Sequence, residues 1–190
     1  MEFSEALARA QAKVVEAYEL RADVQKAARR LIKKAKRAIF AAHRGRVEEA
    51  RSLLEEARAE LAELRAFLLQ RPDVAGLSVL NPAYQELAEA EVFTAIVSGA
   101  QPPAPEELQV PHDQYLLALG DVIGELRRRA LEALKVGRLE EAEGHLALME
   151  ELYMELISLD EAQAILSELR HKCDVARRLI EATRSEIALE

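Results

Sequence analysis

The segment over residues 2–43 constrains the fold of this chain more than any other part. It contains neither Gly nor Pro, and its apolar residues recur three and four positions apart. This is the period of an α-helix, and Gly45 follows where glycine commonly ends helices in the left-handed conformation. We therefore expect one uninterrupted helix, whose apolar stripe contains Leu7, Ala10, Val14, Ala17, Leu20, Val24, Ala28, Leu31, Ala35, Ala38 and Ala42.

The rest of the chain is also predicted to be helical. Half of the 190 residues are hydrophobic but only 4% are aromatic, and the β-branched runs typical of strands are scarce. Pro72 ends one helical pattern, and Asn81-Pro82 begins another as N-cap and first helical residue. Further helices are expected over about 46–70, 81–98, 112–136, 138–159 and 160–189, with a connector over 72–80 and a Pro-rich loop over 99–111. The sequence thus predicts an all-α fold of about six to seven helices in antiparallel hairpins, in one domain over 1–190.

Several protein classes are excluded by composition. The single cysteine, Cys173, excludes an internal disulfide and a cysteine-based zinc cluster. No apolar run approaches the length that a membrane span needs, and the N-terminus carries acids early, unlike a secretory signal. We expect a cytoplasmic protein with no membrane partner.

Positive charge is concentrated in one part of the chain. Residues 26–46 contain nine Lys or Arg and no acid, so the remainder carries a net −17 within a total of −8. On the predicted helix, Arg29, Lys33 and Lys36 share a face with Phe40 and His43. A solvated helix face is the common use of such a run, but nine uncompensated cations also suit phosphate contacts. We expect a polyanion-binding surface, with Phe40 better suited to the core than to stacking on a base.

A short pattern occurs twice, as GRVEEARSLLEE (45–56) and GRLEEAEGHLALMEE (137–151). A shared helix-hairpin turn explains it most simply, because acids favour helix N-termini. A helical repeat scaffold is the alternative, although repeat arrays normally contain more copies.

Two of the predicted helices carry carboxylates among apolar residues. In YLLALGDVIGEL (115–126), Asp121 and Glu125 are four residues apart and hence adjacent on one helix face. In NPAYQELAEAEVFTAIV (81–97), Glu86 and Glu89 share a face, while Glu91 lies on another side, as a surface charge or a salt bridge. Burying like charges is costly unless something positive meets them.

Two interpretations account for the four acids that share these faces. Interhelical salt bridges with Lys or Arg are the more common arrangement. The other is a divalent cation bound by oxygen ligands from facing helices, and Mg²⁺ or Mn²⁺ would suit it better than zinc, since no His or Cys cluster accompanies the acids. Gly120 and Gly124 flank Asp121 and Glu125 and leave space for a backbone or a ligand to approach these acids closely. The histidines are expected at the surface or at helix caps; they are His43, His112, His145 and His171.

Three segments form a recognisable combination: KAKRAIFAAHRGR (34–46), QELAEAEVF (85–93) and PHDQYLLALGDVIGELRRRAL (111–131). They resemble the translin family, and within it the translin-associated factor X branch. The first is similar to that branch's basic helix end and the second to its Glu-x-x-Glu-Ala segment. The third is similar to its Asp-Tyr-Leu-Leu-Gly-x-x-Asp-x-x-Gly-Glu-Leu helix, with a Gln inserted before the Tyr in this sequence. LRHKCDVARRLIEATRSEI (169–187) is loosely similar too, so the resemblance extends over most of the chain.

The resemblance implies an all-helical subunit that assembles into a closed, hollow octamer and binds single-stranded nucleic acid. The factor X branch is the endoribonuclease partner, and its acids fall on Glu86, Glu89 and Asp121; plain translin subunits lack that set and bind without cutting. We therefore hypothesise that the protein is an endoribonuclease that depends on Mg²⁺, with Mn²⁺ as the alternative ion. Glu86, Glu89 and Asp121 would be catalytic metal ligands, and Glu125 a fourth ligand or the support of one.

The basic segment completes this hypothesis. Lys33, Lys36, Arg37 and Arg44 are expected to hold the backbone of single-stranded RNA by charge. Two other function classes stay open at this point. One is a non-catalytic translin-type protein that binds single-stranded RNA or DNA, and the other is a helical scaffold for protein partners.

Overall fold

We describe the fold from a computed structural model, which covers residues 2–71 and 77–189. Every regular element in these two ranges is helical, which confirms the all-α prediction. A 3₁₀ turn over Leu77–Leu80 leads into the third helix, and most of the predicted connector, 72–76, lies outside the described residues. The helices are α1 (Glu2–His43), α2 (Val47–Leu69), α3 (Asn81–Val97), α4 (Pro105–Leu108), α5 (His112–Leu134), α6 (Leu139–Ile157), α7 (Asp160–Ile165) and α8 (Ser167–Ile187).

The turn after α1 and the turn after α5 have the same construction. Gly45 has φ +70° and Gly137 has φ +71°, in the left-handed region that favours glycine. The next residues, Arg46 and Arg138, each donate their backbone N–H to a carbonyl five residues earlier, at 2.9 and 3.0 Å. These bonds form Schellman motifs, and α2 and α6 then begin with acidic first turns. The repeated GRxEEA pattern is therefore a shared helix-hairpin turn.

Three boundaries differ from the prediction. The loop over 99–111 contains the short helix α4, because Pro105 suits a first helical turn. The segment 160–189 is two helices, since Leu166 takes a non-helical ψ of 89° and so turns α8 onto α5 and α6. Asn81 is the first residue of α3 and its side chain makes no capping hydrogen bond, because the 3₁₀ turn precedes it directly.

The helices bury two large apolar cores, which meet where α3 packs on α5, and a small alanine cluster between α5 and α6. The first core joins α1, α2 and α3, and small residues of α1 such as Ala38 and Ala42 let these helices approach closely. The second core joins α5, α6 and α8 with Val92 of α3. Leu126 of α5 is fully buried there, as predicted for this apolar helix. The site described below lies along this α3–α5 contact.

The apolar stripe of α1 is buried only in its second half. Val24 and the stripe residues after it face the first core, whereas Leu7 and Val14 are exposed. The reason is length: α1 has 42 residues and its neighbour α2 has 23, so α2 ends before it can cover the start of α1. None of the described helices has both the length and the apolar character needed to cross a bilayer.

Candidate functional site

The four predicted carboxylates lie along the contact between α3 and α5. Glu86 and Glu89 belong to α3, and Asp121 and Glu125 belong to α5. The charges of Asp121, Glu86 and Glu125 each raise the pKa of Glu89, so the acids influence one another across the helix contact. The two pairs therefore form one electrostatically coupled group.

Glu89 is the acid most removed from solvent. Its residue is only 9% exposed. Burial, followed by the charges of Asp121, Glu86 and Glu125, raises its pKa to about 8. Within residues 2–71 and 77–189, no hydrogen bond or ion pair reaches its carboxyl group. Its oxygens keep a small contact with solvent, but a largely buried acid without a protein partner is destabilising, and a proton or a cation would relieve that cost.

Asp121 has partners from two other positions in the fold. The Lys172 ammonium of α8 contacts its Oδ1, and Nε2 of Gln85 donates to its Oδ2 at 2.7 Å. The aliphatic part of Lys172 crosses α5 at Gly120, where a Cβ would lie 2.9 Å from Cβ of Lys172. The space predicted beside Gly120 is thus taken by a lysine side chain, whereas no atom would meet a Cβ on Gly124 within 4 Å.

Glu125 pairs with His43, the last residue of α1. Nε2 of His43 lies 2.5 Å from Oε2 of Glu125, and the His43 ring packs on Phe93 with centroids 4.6 Å apart. His43 is buried, so its predicted surface or cap position is wrong. The sequence did contain a sign that His43 is buried: the apolar Ile39 lies four residues earlier on the same helix face, and it is buried too.

Of the other three histidines, one is mostly buried and two are exposed. His145 is mostly buried, contrary to the prediction, because its helix α6 packs against α5. Burial, together with the nearby charge of Arg129, lowers its pKa. His112 and His171 are exposed, as predicted.

The glutamates of α3 point to two different sides. Glu86 is mostly buried, and burial raises its pKa even though Nζ of Lys36 lies 3.6 Å from its Oε2. Glu91 lies away from the group and pairs with Arg58 of α2, with Nε and Oε1 3.0 Å apart. This confirms that Glu91 is a salt-bridge residue outside the set of four.

Salt bridges explain three of the four acids and leave Glu89 unexplained. Among the described residues, no three Asp, Glu, His or Cys side chains stand as a ready-made metal site. The chemistry of the donors nevertheless fits a hard divalent cation such as Mg²⁺, because the group offers carboxylate oxygens in a partly desolvated place and Glu89 has no competing partner. A bound cation would have to compete with the Lys172 ammonium for Asp121.

The predicted basic surface lies on α1 beside this site. Lys33, Arg37 and Arg44 are exposed, and the described part of the chain offers them no ion-pair partner. Phe40 is 42% exposed with the Arg44 guanidinium 4.2 Å above its ring, so the predicted core position of Phe40 is wrong. Lys36 is exposed as well, and its contact with Glu86 joins the basic surface to the acids.

Part of the positive charge of α1 is used within the subunit. Lys34 contacts Glu56 and Glu60 of α2, and Arg46 pairs with Glu49 at 2.7 Å. The two Lys34 contacts hold α2 against α1, whereas the Arg46–Glu49 pair lies within the first turn of α2. The remaining exposed cations face solvent and are available to a ligand.

The chain is similar to one protein family and to one curated protein. Residues 80–182, which include all four acids, match the Translin family. An uncharacterized protein of Methanocaldococcus jannaschii is 38% identical over 109 residues, which are 57% of this chain and 49% of that protein. The chain therefore spans about half the length of that relative.

Solved structures resemble the chain over nearly all of its length. The crystal structure of AfC3PO has a TM-score of 0.81 and 32% identity, covering 100% of this chain and 96% of that one. The structure of an AfC3PO–duplex RNA complex has a TM-score of 0.79 at the same identity and coverage. The crystal structure of apo-NeC3PO has a TM-score of 0.83 and 24% identity over 96% of both chains, a likeness of fold alone.

Proposed function

Because the chain belongs to the translin family, we propose that it is a catalytic subunit like the translin-associated factor X branch. It is a Mg²⁺-dependent endoribonuclease that cleaves single-stranded RNA inside a hollow homo-oligomer, an octamer. One observation carries this proposal: Glu89 is buried without a partner beside three other acids. A purely structural network gives no reason to keep this carboxyl group there, whereas a cation site does.

Each acid has a defined part in this activity. Glu86, Glu89 and Asp121 supply carboxylate oxygens, and Glu125, positioned by His43, supplies a fourth or supports one of the others. Glu89 gives up its proton when the site is loaded. When bound there, Mg²⁺, or Mn²⁺ in its place, would lower the pKa of a water molecule and neutralise charge on the phosphoryl oxygens.

RNA is held beside the acids by the basic surface. Lys33, Lys36, Arg37 and Arg44 attract the phosphates, and the position of Lys36 next to Glu86 brings the backbone to the acids. The AfC3PO–duplex RNA complex supports RNA as the ligand. The proposed substrate is single-stranded RNA, because the exposed Phe40 ring offers a stacking surface that unpaired bases use.

The decisive experiment measures cleavage of a labelled single-stranded RNA by the full chain. We expect cleavage with Mg²⁺, none in EDTA, slower cleavage of the matching duplex, and a loss of at least about a hundredfold in Asp121→Asn, because one charged ligand is removed. Glu91→Gln is the matched control: it removes a carboxylate from the same helix α3 but from the other side. It should cleave like the wild type.

Binding without catalysis is the second candidate function. It is favoured by the Lys172 contact, since Asp121 already has a cation partner. Intact RNA that still shifts in a gel would establish this function and overturn the nuclease. No shift at low salt would leave a protein-binding scaffold. Light scattering tests the shell separately, and a monomer would overturn it.

A further inference from the structure

We propose that Lys172 is a built-in counter-ion of the carboxylate group: it occupies Asp121 in the metal-free protein and competes with the divalent cation for that ligand. The inference rests on the proposed function, because it assumes that a cation of the Mg²⁺ class binds these acids. It adds a residue from α8 that sets how tightly the cation binds.

The position of Lys172 is built into the packing of α8. Its neighbours Leu169 and Cys173 are buried in the second core, so the backbone at this position is fixed. The start of its side chain lies against Gly120, where any Cβ would force it to shift. Its side chain is only 20% exposed, and its ammonium ends on Oδ1 of Asp121.

The contact differs from the two other Lys or Arg contacts of the group, which are Lys36 with Glu86 and the exposed Arg128 with Glu125. Lys36 is 63% exposed and remains 3.6 Å from Glu86, so water and salt screen that pair strongly. Lys172 is largely shielded, and its charge also acts on Glu89, the unpartnered acid. One ammonium therefore offsets part of the negative charge of the site when no metal is bound.

A divalent cation that binds Asp121 competes with this ammonium for the same carboxylate. Two positive charges that share one carboxylate repel each other strongly in a partly desolvated place. The stem of Lys172 lies along Gly120 as far as Cδ, so the ammonium turns away by rotation about the bonds beyond Cδ. Displacing Lys172 is thus part of loading the site, and it weakens the apparent affinity for the cation.

The test is calorimetric titration of the full, metal-free chain with MnCl₂. Lys172→Met keeps the length of the side chain and removes the charge, so Mn²⁺ should bind about tenfold more tightly or better, in line with the effect of a neighbouring charge on a carboxylate. Gly120→Ala leaves the lysine present but places a Cβ 2.9 Å from Cβ of Lys172, so α8 must move away from α5 at this point and carry the ammonium with it, and it should shift the affinity in the same direction. Arg58→Met is the matched control, because it removes a cation that pairs with Glu91 outside the group, and its affinity should equal that of the wild type.

Thermal unfolding gives a second readout. Without metal, Lys172→Met should unfold at a lower temperature than the wild type, and saturating Mn²⁺ should stabilise it more than it stabilises the wild type. If Lys172→Met does not fold, Gly120→Ala decides the question alone. Equal or weaker Mn²⁺ binding in the folded variants overturns the role of Lys172 and leaves the nuclease standing. Absence of Mn²⁺ binding in the wild type and in both variants overturns the inference and the metal-dependent function together.

Discussion

The unpartnered carboxyl group of Glu89 makes the stability of the metal-free protein depend on pH in an unusual direction. Burial raises its pKa from 4.5 to about 8, so the folded chain holds this proton up to about pH 8 and the unfolded chain loses it near pH 4.5. Between these values the folded state binds more protons than the unfolded state. The free energy of unfolding must therefore fall as pH rises through this window and level off above it.

The size of this effect follows from the same two values. A difference of one pKa unit corresponds to about 1.4 kcal/mol. Over the window from 4.5 to about 8, the loss has an upper limit of about 5 kcal/mol. Glu89→Gln keeps the shape and cannot ionise, so it removes this slope. The variant should be more stable than the wild type at pH 8 and close to it at pH 5.

Denaturant unfolding in EDTA from pH 5 to pH 9, at one fixed protein concentration, measures this difference. Glu63→Gln is the control, because Glu63 is exposed and its loss should leave the wild-type profile unchanged. Mg²⁺ should flatten the wild-type profile, since a bound cation replaces the proton. Parallel pH profiles for the wild type and Glu89→Gln, or a variant that is less stable at pH 8, would refute the reasoning.

Two further predictions concern the basic surface and the second core. Arg37→Gln or Arg44→Gln should each reduce the slope of log affinity for RNA against log salt by about 0.7, the value for one single-strand phosphate contact, measured by fluorescence anisotropy. An unchanged slope in both would remove them from the RNA surface. Leu126→Ala should lower the free energy of unfolding by about 2–5 kcal/mol, because this side chain is fully buried. The same change at Leu148, which is 38% exposed, should cost much less, and equal costs would contradict the assignment of the core.

The helices and hairpin turns could be predicted because their signals are local. The apolar period along residues 2–43 and the glycine at each hairpin turn both depend on neighbouring residues, and α1 and the two Schellman turns agree with them. The two acid pairs were predictable for the same reason, since spacings of three and four place side chains on one helix face. Glu91 was excluded from the group by the same rule.

The partners of the acids could not be predicted because they depend on how distant helices cross. Lys172 follows Asp121 by 51 residues, and they meet only because α8 packs across α5 at a glycine. His43 reaches Glu125 over 82 residues of sequence. No periodic pattern in either segment encodes these crossings. The exposure of the first half of α1 could not be predicted either. The apolar stripe of α1 continues beyond the end of α2, and the sequence does not show where α2 stops covering it.

The contact between α3 and α5 joins the two large apolar cores. Most of α3 packs into the first core and most of α5 into the second, and the four acids lie where these helices touch. Any ligand that binds Glu86 and Asp121 together favours the docked arrangement of the cores by the same free energy with which docking favours that ligand. Binding at the site and packing of α3 on α5 therefore stabilise each other.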